Sequence, residues 1–129
     1  MLLLRKYMSL IGVGSARIDL ILPKLSYQPG ESICGYFNIE GGTIDQQIKR
    51  IECDLVMTDE MGEQVIDSST ILTSKRIESD ECNHMPFHFS LPEALLPSAK
   101  KRSYRFKTRM IFNEGVKSAD LDEITIVRS

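Results

Sequence analysis

The sequence predicts an all-β sandwich of about seven strands, preceded by a short N-terminal helix. Three observations carry that reading. Apolar residues recur with period two through most of the chain after Gly14. Segments rich in glycine and proline interrupt those runs at intervals ordinary for β domains. Each run shows one apolar and one polar face, and two such sheets packed face to face cover each other's apolar sides. With 129 residues, 42% hydrophobic and 26% charged, the chain has the size of one domain and can bury a core without disulfides or metal.

Residues 1–14 read as an amphipathic helix and glycine linker, and 15–129 as a single sandwich domain. Met1 to Ile11 mixes apolar residues with Arg5 and Lys6. A secretory signal places its charge before an unbroken apolar stretch, and a membrane helix needs about 20 apolar residues; neither pattern is met. A helix docked on the domain and ended by Gly12 and Gly14 is expected, with a membrane-surface or partner-binding helix as the lesser reading.

In the first strand Ala16, Ile18, Leu20 and Leu22 share a face opposite Arg17 and Asp19. Tyr27-Gln28-Pro29-Gly30-Glu31 then supplies a turn, because Pro29 fixes φ and Gly30 tolerates positive φ. The second strand alternates Ile33, Gly35, Phe37 and Ile39 with Cys34, Tyr36, Asn38 and Glu40. After Gly41-Gly42, a third strand points Ile51, Cys53, Leu55 and Met57 inward. Ile48 is out of phase with that set, so a bulge near Lys49 or Arg50 is expected. Asp59-Glu60-Met61-Gly62 leads into a partner strand over 63–77, bent or at an edge because its alternation is blurred. In the fifth strand Met85, Phe87, Phe89 and Leu91 face inward, and Pro86 argues for an edge. A loop over 92–97 precedes a long central strand in which Tyr104, Phe106, Thr108, Met110 and Phe112 alternate with Arg105, Lys107, Arg109 and Ile111. A last strand is expected over 123–127.

Five elements together resemble one family: the short basic-apolar N-terminal helix, Ile11-Gly12-Val13-Gly14-Ser15-Ala16, Tyr27-x-Pro29-Gly30-Glu31-x-Ile33-x-Gly35, Gly41-Gly42, and Pro86-Phe87-His88-Phe89-Ser90-Leu91-Pro92. The order and content are similar to those of bacterial sporulation-control proteins of the stage-zero M type. The resemblance implies an immunoglobulin-like, arrestin-type sandwich. It also implies a cytoplasmic, non-enzymatic regulator of the entry into sporulation. Members of that family usually carry a second sandwich, so the chain is expected to correspond to the N-terminal domain only. An uncovered face would then favour a homodimer.

The residues specify no reaction. His84 and His88 stand four apart on a strand, about 13 Å, too far to share one zinc ion. Cys53 belongs to an inward set, Cys34 points outward, and Cys82 lies in the polar turn Asp80-Glu81-Cys82-Asn83. These three cysteines form neither a disulfide framework nor a CxxC motif, which fits a reducing cytoplasm. Gly12-x-Gly14 precedes a strand instead of opening a helix, unlike a dinucleotide fingerprint. Asp59, Glu60 and Glu63 lack calcium-loop spacing. No catalytic set, cofactor or metal is expected.

The net charge of −2 does not suit a protein whose whole surface binds nucleic acid. Positive charge is concentrated locally: Lys100, Lys101, Arg102, Arg105, Lys107 and Arg109 lie within ten residues, the last three on one strand face. Such a row can be a solvated face paired with Glu52 and Asp54, or a contact for an acidic or phosphorylated protein segment. Nucleic acid is disfavoured because the row carries no stacking aromatics. A protein-contact regulator is therefore the leading functional reading. The alternative is a general ligand-binding sandwich of envelope or carbohydrate type, which would expose aromatic platforms; the chain has no Trp.

Overall fold

The computed structural model describes residues 14–113, 115 and 117–128; the expected N-terminal helix lies outside them. The described residues form strands β1 (Arg17–Ile21), β2 (Ser26–Tyr27), β3 (Ser32–Glu40), β4 (Gln46–Asp59), β5 (Gly62–Leu72), β6 (Arg76–Ile77), β7 (Cys82–Ser90), β8 (Ser103–Phe112) and β9 (Lys117–Ile126). One sheet has the order β1-β3-β7, and the other has the order β2-β9-β8-β4-β5 with β6 paired to the start of β4. The fold is all-β, with the two sheets in a sandwich-like arrangement.

The predicted alternation places the core between them. Ile18, Leu20, Ile33, Phe37, Phe87 and Phe89 from the small sheet are buried together with Ile51, Leu55, Tyr104, Phe106 and Met110 from the large one. Phe106 joins the layers: its ring lies edge-on to Phe87 and Phe89, with centroids 5.5 and 5.1 Å away. β8 is central, and β7, which carries Pro86, is an edge strand. The register of β4 against β8 shifts between Ile48 and Arg50. That bulge returns Ile48 to the core at 0% exposure.

Tyr27 to Glu31 forms the expected corner. The Glu31 N–H donates to the Gln28 carbonyl at 3.1 Å, and Gly30 has φ of 81°. With Pro29 at the second position this is a type II turn. The turn is tied to the end of β7: Gly30 N–H donates to the Pro92 carbonyl (3.1 Å) and Leu91 N–H to the Glu31 carbonyl (2.9 Å). Two sequence-distant motifs thus meet through backbone. Gly41 and Gly42 serve close approach, because a Cβ at either would run into the backbone carbonyl of Glu78 or Gly14.

Four elements, β2, β5, β6 and β9, differ from expectation. β2 and β6 are two-residue strands, too short for alternation to reveal; β2 pairs parallel with β9, and β6 pairs with Gln46 and Gln47. The segment expected as one strand over 63–77 is β5 followed, after a break, by β6. β5 also carries a second bulge, since Leu55 faces Asp67 and Val56 faces Val65, leaving Ile66 as the extra residue. The last strand begins at Lys117, not near Glu123. Its early inward positions are polar, so apolar periodicity fades there.

Those polar positions close a sheet edge. β1 borders the small sheet, and outward N–H groups of β1 and of Ala16 just before it are met by side chains. Ala16 N–H donates to Gln46 Oε1 (2.6 Å), Ile18 N–H to Ser118 Oγ (3.2 Å) and Leu20 N–H to Asp120 Oδ2 (2.8 Å). Side chains of the large sheet thereby satisfy donors that would otherwise lack partners in a partly buried seam.

Candidate functional site

The outward face of β8 presents Arg105, Lys107 and Arg109, opposite Val56, Asp54 and Glu52 of β4. Alternation alone places them in one row, since the buried Tyr104, Phe106, Thr108 and Met110 occupy the other face. The row is paired. Arg105 and Lys107 both contact Glu63, which reaches across β4 from β5, with Lys107 Nζ 2.7 Å from Oε1. Arg109 contacts Glu52 at 3.0 Å and Asp54 at 3.4 Å. Arg50 also donates to Glu52, at 2.8 Å.

Hydrogen bonds from Lys107 and then Arg105 hold the Glu63 carboxyl below its usual range. Glu52 is lowered chiefly by Arg50, with Arg109 contributing. These pairs are solvent-screened, so they set the charge pattern more than they stabilise the fold. Within the row's preceding loop, Lys101 pairs with Glu60 at 3.3 Å, and Arg102 Nη1 donates to the Pro97 carbonyl at 2.8 Å. Lys100 is exposed. The structure thus brings the expected acids of β4 against the row and adds Glu63.

Among the described residues five strands pair on one side only; β2 and β6 are two residues long and β1 is closed by side chains of β9, which leaves β7 and β5 as the long open edges. β7 carries Pro86, which has no N–H to offer an added strand. β5 lacks proline over its eleven residues and exposes Val65 and Leu72, at 55% and 81%. Met61, at the hairpin tip, is 94% exposed. Apolar side chains beside unpaired backbone groups make β5 the edge better suited to accepting another strand.

Two further groupings escaped the sequence reading. Asp19, Asp120 and Asp122 bring carboxylate oxygens within 4.8 Å of one another at the seam between β1 and β9. Burial, and then Asp120, push the Asp122 carboxyl up to about 8. Asp19 is raised by burial and by the same neighbour. A depression of about 420 Å³ beside them is bordered by Arg17, Asp19, Asn38, Glu40 and Asp120. Counting back by twos from Ile124 through Asp122, Asp120 and Ser118 was the available signal.

On the outer face of the small sheet, Cys34 lies opposite His88, with Sγ 3.4 Å from Nδ1. His84 packs against Tyr36 with centroids 4.6 Å apart and the rings tilted by 35°. Cys82 opens β7 instead of lying in a turn, and its thiol donates to Asn38 Oδ1 at 3.4 Å. Cys53 is buried against Thr108, and burial pushes its thiol up to about 11. Among the described residues, no helix is long and apolar enough to cross a membrane.

Residues 4–129 match the family described as SpoOM protein. The sporulation-control protein spo0M of Bacillus subtilis (strain 168) is 30% identical over 130 residues, covering 95% of this chain and 50% of that protein. The crystal structure of Spo0M, sporulation control protein, from Bacillus subtilis superposes with a TM-score of 0.81 at 28% identity, covering 90% of this chain and 51% of that one. The chain therefore spans about half the length of the curated relative it matches. A Pseudomonas fluorescens alkylpurine DNA glycosylase AlkC, bound to DNA containing an abasic site analog, aligns with a TM-score of 0.57 at 13% identity. That alignment covers 89% of this chain and 31% of that one; it is a likeness of fold alone.

Proposed function

The chain belongs to the SpoOM protein family, and on that premise we propose that it is a non-enzymatic, cytoplasmic regulator of sporulation that acts by protein contact. The sandwich is read as arrestin-type, a scaffold whose edges and faces present contacts. The observation that carries the mechanism is β5, an eleven-residue strand paired on one side and exposing Val65 and Leu72. An extended partner segment adds to this edge through backbone hydrogen bonds, with alternate side chains giving specificity.

The basic residues provide a second contact. Acidic or phosphorylated residues flanking the added segment compete with Glu63, Glu52 and Asp54 for Arg105, Lys107 and Arg109, and reach Lys100, Lys101 and Arg102 in the loop before β8. A second copy of this chain can use the same edge, giving a homodimer with two β5 strands side by side. Nucleic acid is not the expected partner, because the outward row of Arg105, Lys107 and Arg109 carries no aromatic side chain on which bases could stack.

The test is affinity capture from sporulating cells with three baits: wild type, Val65→Lys/Leu72→Lys, and Arg105→Glu/Lys107→Glu/Arg109→Glu. Lysines on an edge strand oppose strand addition. Loss of a partner with the edge variant, and weaker capture with the charge variant, is expected. Identical captured proteins for all three baits would remove both surfaces from the mechanism.

A further inference from the structure

We propose that Cys34 and His88 form a thiol-modification site that takes low-molecular-weight disulfides. The two residues are directly paired across β3 and β7, both are exposed, and Sγ stands 3.4 Å from Nδ1. A nucleophile beside a base is the minimum arrangement for an activated thiol. Along the same face the register neighbours are Ser32 and Tyr36 on β3, and Pro86 and Ser90 on β7. None carries a charge that would oppose a developing thiolate.

The other two cysteines lack this combination. Cys82 is exposed, but its thiol donates to an amide oxygen, and its register partner is Glu40, an anion. Cys53 is 1% exposed within the core. One chain thus holds three thiols in three environments, and one environment offers access, a base and an uncharged surround together.

In the reaction, His88 accepts the Cys34 proton and the sulfur attacks one sulfur of the disulfide. A new S–S bond forms as the old one breaks, and the departing thiolate takes the proton from the imidazolium. Cys34 is oxidised to a mixed disulfide, and half of the reagent is reduced to its thiol.

The experiment treats the folded chain with excess oxidised glutathione and follows site-resolved adducts by mass spectrometry. Cys34 is expected to react about tenfold faster than Cys82, and His88→Gln to slow Cys34 about fivefold or more without changing the Cys82 rate. Cys34→Ser must abolish the fast phase. Continued protection of Cys53 shows that each variant remains folded. Equal rates at Cys34 and Cys82, or an unchanged Cys34 rate in folded His88→Gln, overturns the proposal. If His88→Gln exposes Cys53, His88→Asn replaces it under the same criteria.

Discussion

Replacing Asp120 separates two roles that one carboxylate plays at the seam. Its Oδ2 accepts the Leu20 N–H at 2.8 Å, while, after burial, its hydrogen bond and charge raise Asp122 and Asp19. Asp120→Ala strands a partly buried amide, at a cost of about 1–3 kcal/mol. Relief of carboxylate repulsion offsets some of this, so a net loss of about 1–2 kcal/mol is expected. Asp120→Asn keeps an acceptor and removes the charge, so it should be neutral or stabilising. Asp122→Asn isolates the electrostatic part. Folded Asp122 holds its proton until about pH 8, whereas an ordinary aspartate carboxyl titrates at 3.8. Between those values the folded chain binds the extra proton. Asp122 therefore contributes stability that is full below about pH 4 and lost as pH rises through about 8. After allowance for solvent screening, Asp122→Asn should gain about 1–2 kcal/mol at pH 8.5 and nearly nothing at pH 4. Urea unfolding followed by circular dichroism at both pH values measures all three variants. Asp120→Asn as costly as Asp120→Ala, or an Asp122→Asn effect independent of pH, would refute the reasoning.

Three other outcomes are expected. Phe106→Ala removes the ring that joins Phe87 and Phe89 across the layers, and should cost about 3–5 kcal/mol in equilibrium unfolding. Gly42→Ala drives a Cβ into the Gly14 carbonyl, and should cost at least about 2 kcal/mol or abolish soluble expression. Glu63→Gln weakens the exposed pairs to Arg105 and Lys107; its small destabilisation at low salt should vanish at high salt, as read from paired thermal melts.

Most of the architecture was legible because burial writes period two into β1, β3, β4, β7 and β8. Even the Ile48 bulge could be read, since one apolar residue fell out of phase. β2 and β6 were not legible, because two residues carry no period and their pairing depends on distant strands. The start of β9 was hidden for another reason. Ser118, Asp120 and Asp122 occupy inward positions to serve β1 and the seam, and polar residues there erase the signal on which strand recognition depends. The basic row was visible as a face. Its acid on β5 was not, because Glu63 reaches Arg105 and Lys107 only through the fold's strand order. Cys34 and His88 each read as outward, yet their register across β3 and β7 makes them a pair.

The most direct test is spore frequency in the native host after deletion of the encoding gene, with complementation by wild type or by Val65→Lys/Leu72→Lys. A contact regulator working through β5 predicts that deletion changes spore frequency, that wild type restores it, and that the edge variant, expressed at the same level, does not. An unchanged frequency on deletion, or full restoration by the edge variant, would contradict it.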